Sequence, residues 1–177
     1  MTDKARTLPH VDPLRPRGAL YRAFARFTAT RFARWLSPRV LWKLDPYVLR
    51  LTRGRLGMGL MLPTALLETR GARTGQLRRT GVIYFHDGDA VTIVASKIGR
   101  PENPAWFHNA RAHPEVVLGG VAFRAEVVSD EAERARLWAL ADRVFPPYAA
   151  YRERAARFGR TIPILRLSNG ARDPARP

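Results

Sequence analysis

The chain has 177 residues, enough for one domain with a proper buried core, and 46% of them are hydrophobic, too many for a disordered protein. It contains no cysteine, which excludes disulfide scaffolds, thiolate zinc sites and cysteine nucleophiles. Lys and Arg number 31 against 15 acidic residues, a formal net charge of +16 that favours an anionic partner: nucleic acid, acidic lipid or a phosphate-bearing ligand.

Residues 1–17 are rich in Pro, Arg and Thr and read as a flexible arm without the apolar core of a signal peptide, so the expected location is the cytoplasm. From Gly18 to about Leu51 the pattern becomes helical. Tyr21, Phe24, Ala25, Thr28, Phe32, Trp35 and Leu36 follow spacings of three and four, and Arg22, Arg26, Arg31 and Arg34 take other positions. Ser37-Pro38 interrupts this helix, because the residue before proline disfavours the α region. Val40, Leu41, Trp42 and Leu44 then resume an apolar pattern as far as Asp45-Pro46. Residues 18–60 thus form an N-terminal amphipathic helical extension. It either packs on its own domain with arginines towards water or lies peripherally on an anionic membrane.

After Gly54–Gly59 the period shifts towards two, and residues 61–168 read as one β-rich domain. Ala65–Thr69 is a strand followed by the turn Gly71–Gly75. Thr80–His86 and Ala90–Ala95 form a hairpin around Asp87-Gly88-Asp89. Pro104 opens a short helix that runs to about His113-Pro114, since its missing N–H costs nothing in a first turn. Glu115–Leu118 and Val121–Val128 form a second hairpin around Gly119-Gly120. Asp130 with Glu133 is a capping-box pair, and the helix it opens turns Leu137, Trp138, Leu140, Ala141 and Val144 inward before stopping at Pro146-Pro147. A further helix from Tyr148 to about Phe158 precedes a sixth strand, Thr161–Leu167, and residues 169–177 form a disordered tail. Hairpins without regular βαβ alternation point to an α+β, mainly β fold: a six-stranded antiparallel barrel with peripheral helices.

His10, His86, His108 and His113 lack the spacing and the neighbouring carboxylates of a metal site, and no phosphate-loop, dinucleotide or serine-hydrolase motif is present. Three segments beside strands carry the chemistry. Gly71–Gly75 brackets Arg73-Thr74 between glycines, where backbone N–H groups can approach an anion, and Arg78 and Arg79 follow. Ala95-Ser96-Lys97-Ile98-Gly99 ends a strand with a hydroxyl, an ammonium and a hinge. Asn103–Asn109 places an aromatic and an amide at a helix start, itself an anion site. Together they suit a ligand bearing several negative charges.

The run Gly-x-Arg-Thr-Gly-Gln, Ala-Ser-Lys-x-Gly, Asn-Pro-x-Trp-x-x-Asn and Phe-Pro-Pro-Tyr-x-x-Tyr ahead of Arg-Thr-Ile-Pro resembles the deazaflavin-dependent nitroreductase family of actinobacteria, from about Leu66 to Leu167. The resemblance implies a split β-barrel that binds reduced coenzyme F420 and passes hydride to a small hydrophobic acceptor such as a quinone, an enone or a nitro compound. It implies that the cofactor's anionic tail meets Ala72, Arg73, Thr74, Arg78, Arg79 and the strand Thr80, Gly81, Val82 and Ile83. The ring would lie against Val94, Ala95, Ser96 and Lys97 and against Ala105, Trp106, Phe107, His108 and Asn109. Tyr148 and Tyr151 would border the acceptor, opposite Ser96, with Tyr148 hydrogen-bonding or protonating it. Ala72, Ile98 and Phe145 depart from frequent family residues, which bears on tail grip and acceptor identity. The competing readings are a related barrel using FMN and a non-enzymatic basic protein that binds nucleic acid or membrane.

Overall fold

The computed structural model describes residues 8–15, Gly18 and 62–169. The helical extension expected over 18–60, apart from Gly18, and the tail expected over 169–177, apart from Asn169, fall outside the described residues. In chain order come β1 (Thr64–Arg70), β2 (Leu77–Asp87), β3 (Ala90–Val94), a 3-10 turn (Lys97–Gly99), α1 (Ala105–Ala112), β4 (Glu115–Leu118), β5 (Val121–Val127), α2 (Glu131–Val144), α3 (Tyr148–Ala156) and β6 (Ile164–Asn169). The strands close into an antiparallel barrel in the order β1-β2-β3-β6-β5-β4, as the hairpin pattern predicts.

Two boundaries differ from the expectation. β2 begins at Leu77, three residues early, because Leu77–Arg79 are all exposed and carry no alternation to betray a strand. The last strand begins at Ile164 and reaches Asn169. Proline cannot donate to a ladder, and Pro163 serves instead as an acceptor for the Ala95 N–H at 2.9 Å.

Two apolar layers follow from strand alternation. Inside the barrel, Ala65, Leu67, Val82, Tyr84, Val91, Ile93, Leu118, Phe123, Leu165 and Leu167 pack together with Trp106 and Phe107 of α1, which plug one end. Outside, Phe85, Val94 and Ile164 are covered by Leu137, Ala141 and Val144 of α2 and by Tyr148 and Ala155 of α3. β3 therefore faces apolar groups on both sides and is buried at every position, including the polar Thr92. The Asp130 carboxylate caps α2 by accepting from the Glu133 N–H at 2.7 Å. Only that half of the expected capping box forms, because the Glu133 carboxylate is taken by Arg166 at 2.7 Å. Gly119 and Gly120 both have positive φ, at 60° and 88°, as a two-residue type I′ connection between β4 and β5 demands.

The register defines the barrel's two ends. The β1–β2 turn, the end of β3, α1 and the start of β6 lie at one; the β2–β3 and β4–β5 turns lie at the other. Part of the expected loose arm is docked at the second end. The Val11 carbonyl accepts from the His86 N–H at 2.8 Å, the Val11 N–H donates to His86 Nδ1 at 3.1 Å, and the buried Tyr84 hydroxyl donates to the Pro9 carbonyl at 2.9 Å. Leu8 and Val11 pack on the barrel interior. An arm with these apolar residues gains enough from burial to offset its ordering.

Burial pushes the Tyr84 hydroxyl up to about 12 from its ordinary 10.0. A folded-state value above the unfolded one means that this stability is complete below pH 10 and is lost as pH rises towards 12. Tyr84→Phe should cost about 1 kcal/mol at neutral pH through the lost bond to Pro9. The gap to wild type should then narrow between about pH 10 and about pH 12 in denaturant titrations, because only wild type carries the titrating hydroxyl; a constant gap would refute the assignment.

Candidate functional site

Nearly all the residues singled out in the sequence gather at the end plugged by α1. The geometry begins with β2, which pairs with β1 over residues 77–83 but with β3 only over 84–87. The Tyr84 N–H donates towards the β1 side, to Pro63. Alternation therefore turns the N–H and C=O groups of Arg79 and Gly81 to the opposite edge. Among the described residues no strand covers that edge. It runs from the turn at 71–76 to the level at which β3 ends and the Ser96–Arg100 loop departs.

The turn itself is closed from within. The Gly71 N–H donates to Gln76 O and the Gly75 N–H to Gly71 O, both at 2.8 Å. Thr74 Oγ1 accepts from the Gln76 N–H at 3.4 Å, and a Cβ on Gly71 would stand 2.9 Å from that hydroxyl. Asn109 locks the turn to α1, accepting from the Ala72 N–H at 3.0 Å and donating to Thr69 Oγ1 at 3.2 Å. Arg73 is exposed at the tip, and Arg78, opposite Thr69 in register, reaches only the neutral Gln76 side chain, at 3.1 Å. Neither has a carboxylate partner among the described residues. Arg79 turns to the outer face and pairs with Glu68 at 3.1 Å. Lys97 pairs with Glu102, also at 3.1 Å, an exposed contact that an incoming anion can displace at little cost. The Lys97 ammonium and its hydrogen bond hold the Glu102 carboxyl below its ordinary value.

Several predicted contacts are core groups. Trp106 and Phe107 point into the barrel interior, Val82 and Ala95 join them, and Val94 and Ile83 belong to the outer layer. In the segment 105–109 only Ala105 and His108 are exposed. Thr80 is half-buried and Gly81 exposed on the open edge. Tyr148, at 3% exposure, is enclosed, meeting Phe145, Trp138 and Tyr151 edge-on at ring separations of 5.1, 6.0 and 6.2 Å. Tyr151 and Ser96 are half-buried. His10 and His86 stack at 4.4 Å at the opposite end of the barrel; burial, then the charge of His10, lowers the His86 imidazole from its ordinary value.

Sequence reasoning missed the arginines that shape the loop. Lys97 and Ile98 both have positive φ, at 46° and 57°, a costly conformation for a β-branched residue. The Arg154 guanidinium donates to the Ile98 carbonyl at 2.8 Å. Arg160 donates to the carbonyls of Ala95 at 2.6 Å, Ser96 at 3.1 Å and Arg100 at 2.6 Å, and to Asn103 Oδ1 at 2.8 Å. Burial lowers its guanidinium from the ordinary value, opposed by the charge of Glu102. Its place in Arg-Thr-Ile-Pro was the one signal available, and that signal carries no role.

The barrel, with free cations beside an open strand edge, has the form of an oxidoreductase that holds an anionic cofactor outside its core. The sequence model of the F420H(2)-dependent quinone reductase family matches residues 43–169. F420H(2)-dependent quinone reductases from two strains of Mycobacterium tuberculosis are each 36% identical over 148 residues, covering 77% of this chain and 97% of theirs. Among solved structures, the F420-H2 dependent reductase FDR-A is similar, with a TM-score of 0.52 at 32% identity over 60% of this chain and 94% of that one. This chain belongs to the F420H(2)-dependent quinone reductase family. It is an F420-dependent oxidoreductase, which sets aside both FMN as its coenzyme and the non-enzymatic reading.

The residues present fit that coenzyme. A phosphodiester with several carboxylates needs cations not already neutralised, and Arg73 and Arg78 supply them beside the glycine-bracketed turn.

Close packing of the loop on α3 makes a direct test. A Cβ on Gly99, where φ is +71°, would stand 2.4 Å from the Tyr151 carbonyl, whereas Gly159, at +65°, has nothing within 4 Å. Gly159→Ala should cost about 1 kcal/mol, the left-handed penalty alone. Gly99→Ala should cost about 1–3 kcal/mol more in thermal or chemical denaturation, because backbone must also move. Equal costs would show that the loop does not rest on α3 as described.

Proposed function

We propose that this enzyme reduces a quinone at the α1 end of its barrel, with Arg73 and Arg78 on the anionic tail of F420. The single observation that carries the placement is the pair of exposed arginines, uncompensated by carboxylates, next to the strand edge that β3 leaves uncovered. When bound, reduced F420 supplies the hydride. The chain's own groups bind, orient and manage protons. Backbone groups of Arg79 and Gly81 on the open edge, with Ser96 and Lys97 across from them, offer hydrogen bonds to a planar polar ring.

A quinone that accepts hydride becomes an oxyanion needing a hydrogen bond or a proton. We assign that role to Tyr151, a half-buried residue of α3 whose backbone packs against Gly99, in preference to the enclosed Tyr148. Tyr148 holds Tyr151 by edge-on contact at 6.2 Å. The family match and the quinone reductase activity named for its M. tuberculosis members support quinone over enone or nitro acceptors.

Fluorescence titration with F420 should show Arg73→Ala and Arg78→Ala each weakening binding about tenfold, the loss expected for a charge-assisted contact. Tyr151→Phe should bind F420 normally but reduce menadione on the order of 100-fold more slowly, with a smaller loss for Tyr148→Phe. Unchanged F420 affinity in both arginine variants would move the cofactor elsewhere on the barrel.

No helix among the described residues is long and apolar enough to cross a membrane. The spacing of aromatic and basic residues over 18–60 supports peripheral contact with anionic lipid, which would suit a lipid-soluble acceptor. Full-length protein should co-sediment with phosphatidylglycerol vesicles but not with phosphatidylcholine vesicles, and equal partition with both would exclude charge-driven docking.

A further inference from the structure

We propose that Arg160 is the positioning residue of the reaction: its guanidinium sets the Ala95–Arg100 loop in the one conformation that receives the cofactor ring. The proposal rests on the placement of F420 against this loop. Two stretches far apart in the sequence meet here: Arg160 reaches back 57 to 65 residues to bond Ala95, Ser96, Arg100 and Asn103. Its four hydrogen bonds go to neutral oxygens only: the carbonyls of Ala95, Ser96 and Arg100 and the Asn103 amide. No carboxylate lies within ion-pair distance of it among the described residues, so the group is not spent on an ordinary salt bridge.

What it holds is strained. Two consecutive non-glycine residues, Lys97 and Ile98, sit in the left-handed region, and such backbone persists only where its surroundings over-determine it. Within the turn itself there are the Gly99 N–H to Ser96 and the Arg100 N–H to Lys97. The remaining carbonyls are drawn inward by Arg160 and by Arg154, which takes Ile98 O. The Lys97 ammonium itself turns to the Glu102 carboxylate at 3.1 Å and the Asn103 carbonyl at 3.5 Å. Removing the guanidinium would take a donor from the part-buried Ala95 carbonyl and from Arg100 O, leave Ser96 O with the Gly99 N–H alone, and release the strain. A lysine, with three donors on a compact head, can restore part of this set but not its fork geometry.

Lys97 makes the loop directly measurable. The full chain has lysine only at positions 4, 43 and 97, so endoproteinase Lys-C reports the loop as appearance of fragment 98–177. In wild type, cleavage after Lys97 should be slow and slower still with saturating F420. Arg160→Gln should be cut about tenfold faster or more and bind F420 about tenfold more weakly, with Arg160→Lys between the two. Arg152→Gln, which loses the Asp142 pair away from the loop, should lower the Tm without changing either readout. Should Arg160→Gln not fold, Asn103→Ala removes one acceptor and should shift both readouts in the same direction by a smaller factor. Wild-type cleavage or wild-type F420 affinity in the folded variants would overturn the role of Arg160. Absence of F420 protection at Lys97 in wild type would instead sink the placement of the ring, and the positioning role with it.

Discussion

Everything at the functional end follows from how β2 divides its pairing. A closed barrel gives every strand two neighbours, but β2 is eleven residues long and β3 only five. The far half of β2 therefore has β1 on one side and no strand on the other among the described residues. The barrel buries the apolar interior, and this uncovered stretch of β2 presents backbone donors and acceptors in fixed directions. A rigid barrel thus offers an edge for a planar polar ligand without opening its core.

Arginine does three separate jobs in this barrel. Some guanidiniums pair with carboxylates to hold elements in place, as Arg136 does bidentately with Asp87 at 2.7 Å, clamping α2 to the β2–β3 hairpin. Others, Arg154 and Arg160, gather backbone carbonyls under the strained loop. A third group, Arg73 and Arg78, stands at the glycine-bracketed turn without acidic partners among the described residues. Net charge alone does not distinguish these uses, because all contribute equally to it. Their difference lies in what faces each side chain, and that decides which are available to an anion.

The aromatic residues divide similarly. Trp106 and Phe107, which the motif placed against the ring, are the plug of the barrel; their area is better used excluding water from its interior than stacking at its rim. Tyr148, the residue favoured from sequence for proton delivery, is walled in by Trp138, Phe145 and Tyr151. Asn109 spends both ends of its amide bracing the β1–β2 turn. These motif residues serve the site by building its walls.

Much was legible beforehand because it depends on local chemistry. The turn glycines, the alternation of β1, β4 and β5, the Asp130 cap and the proline stops each act over a few residues, so six strands, the helices and the barrel could be read in order. The start of β2 was hidden, since Leu77–Arg79 are exposed and their strand geometry is imposed by β1. The docking of Leu8–Pro13 was hidden for the same reason: its partners, Tyr84 and His86, lie 75 residues away. By itself the sequence determined a cationic, cysteine-free antiparallel barrel and, through its ordered motifs, the cofactor class. Only the tertiary structure decided which cations remain free, which tyrosine is reachable and that Arg160 holds the loop. Those are properties of long-range contacts, set where distant segments meet, and no local spacing encodes them.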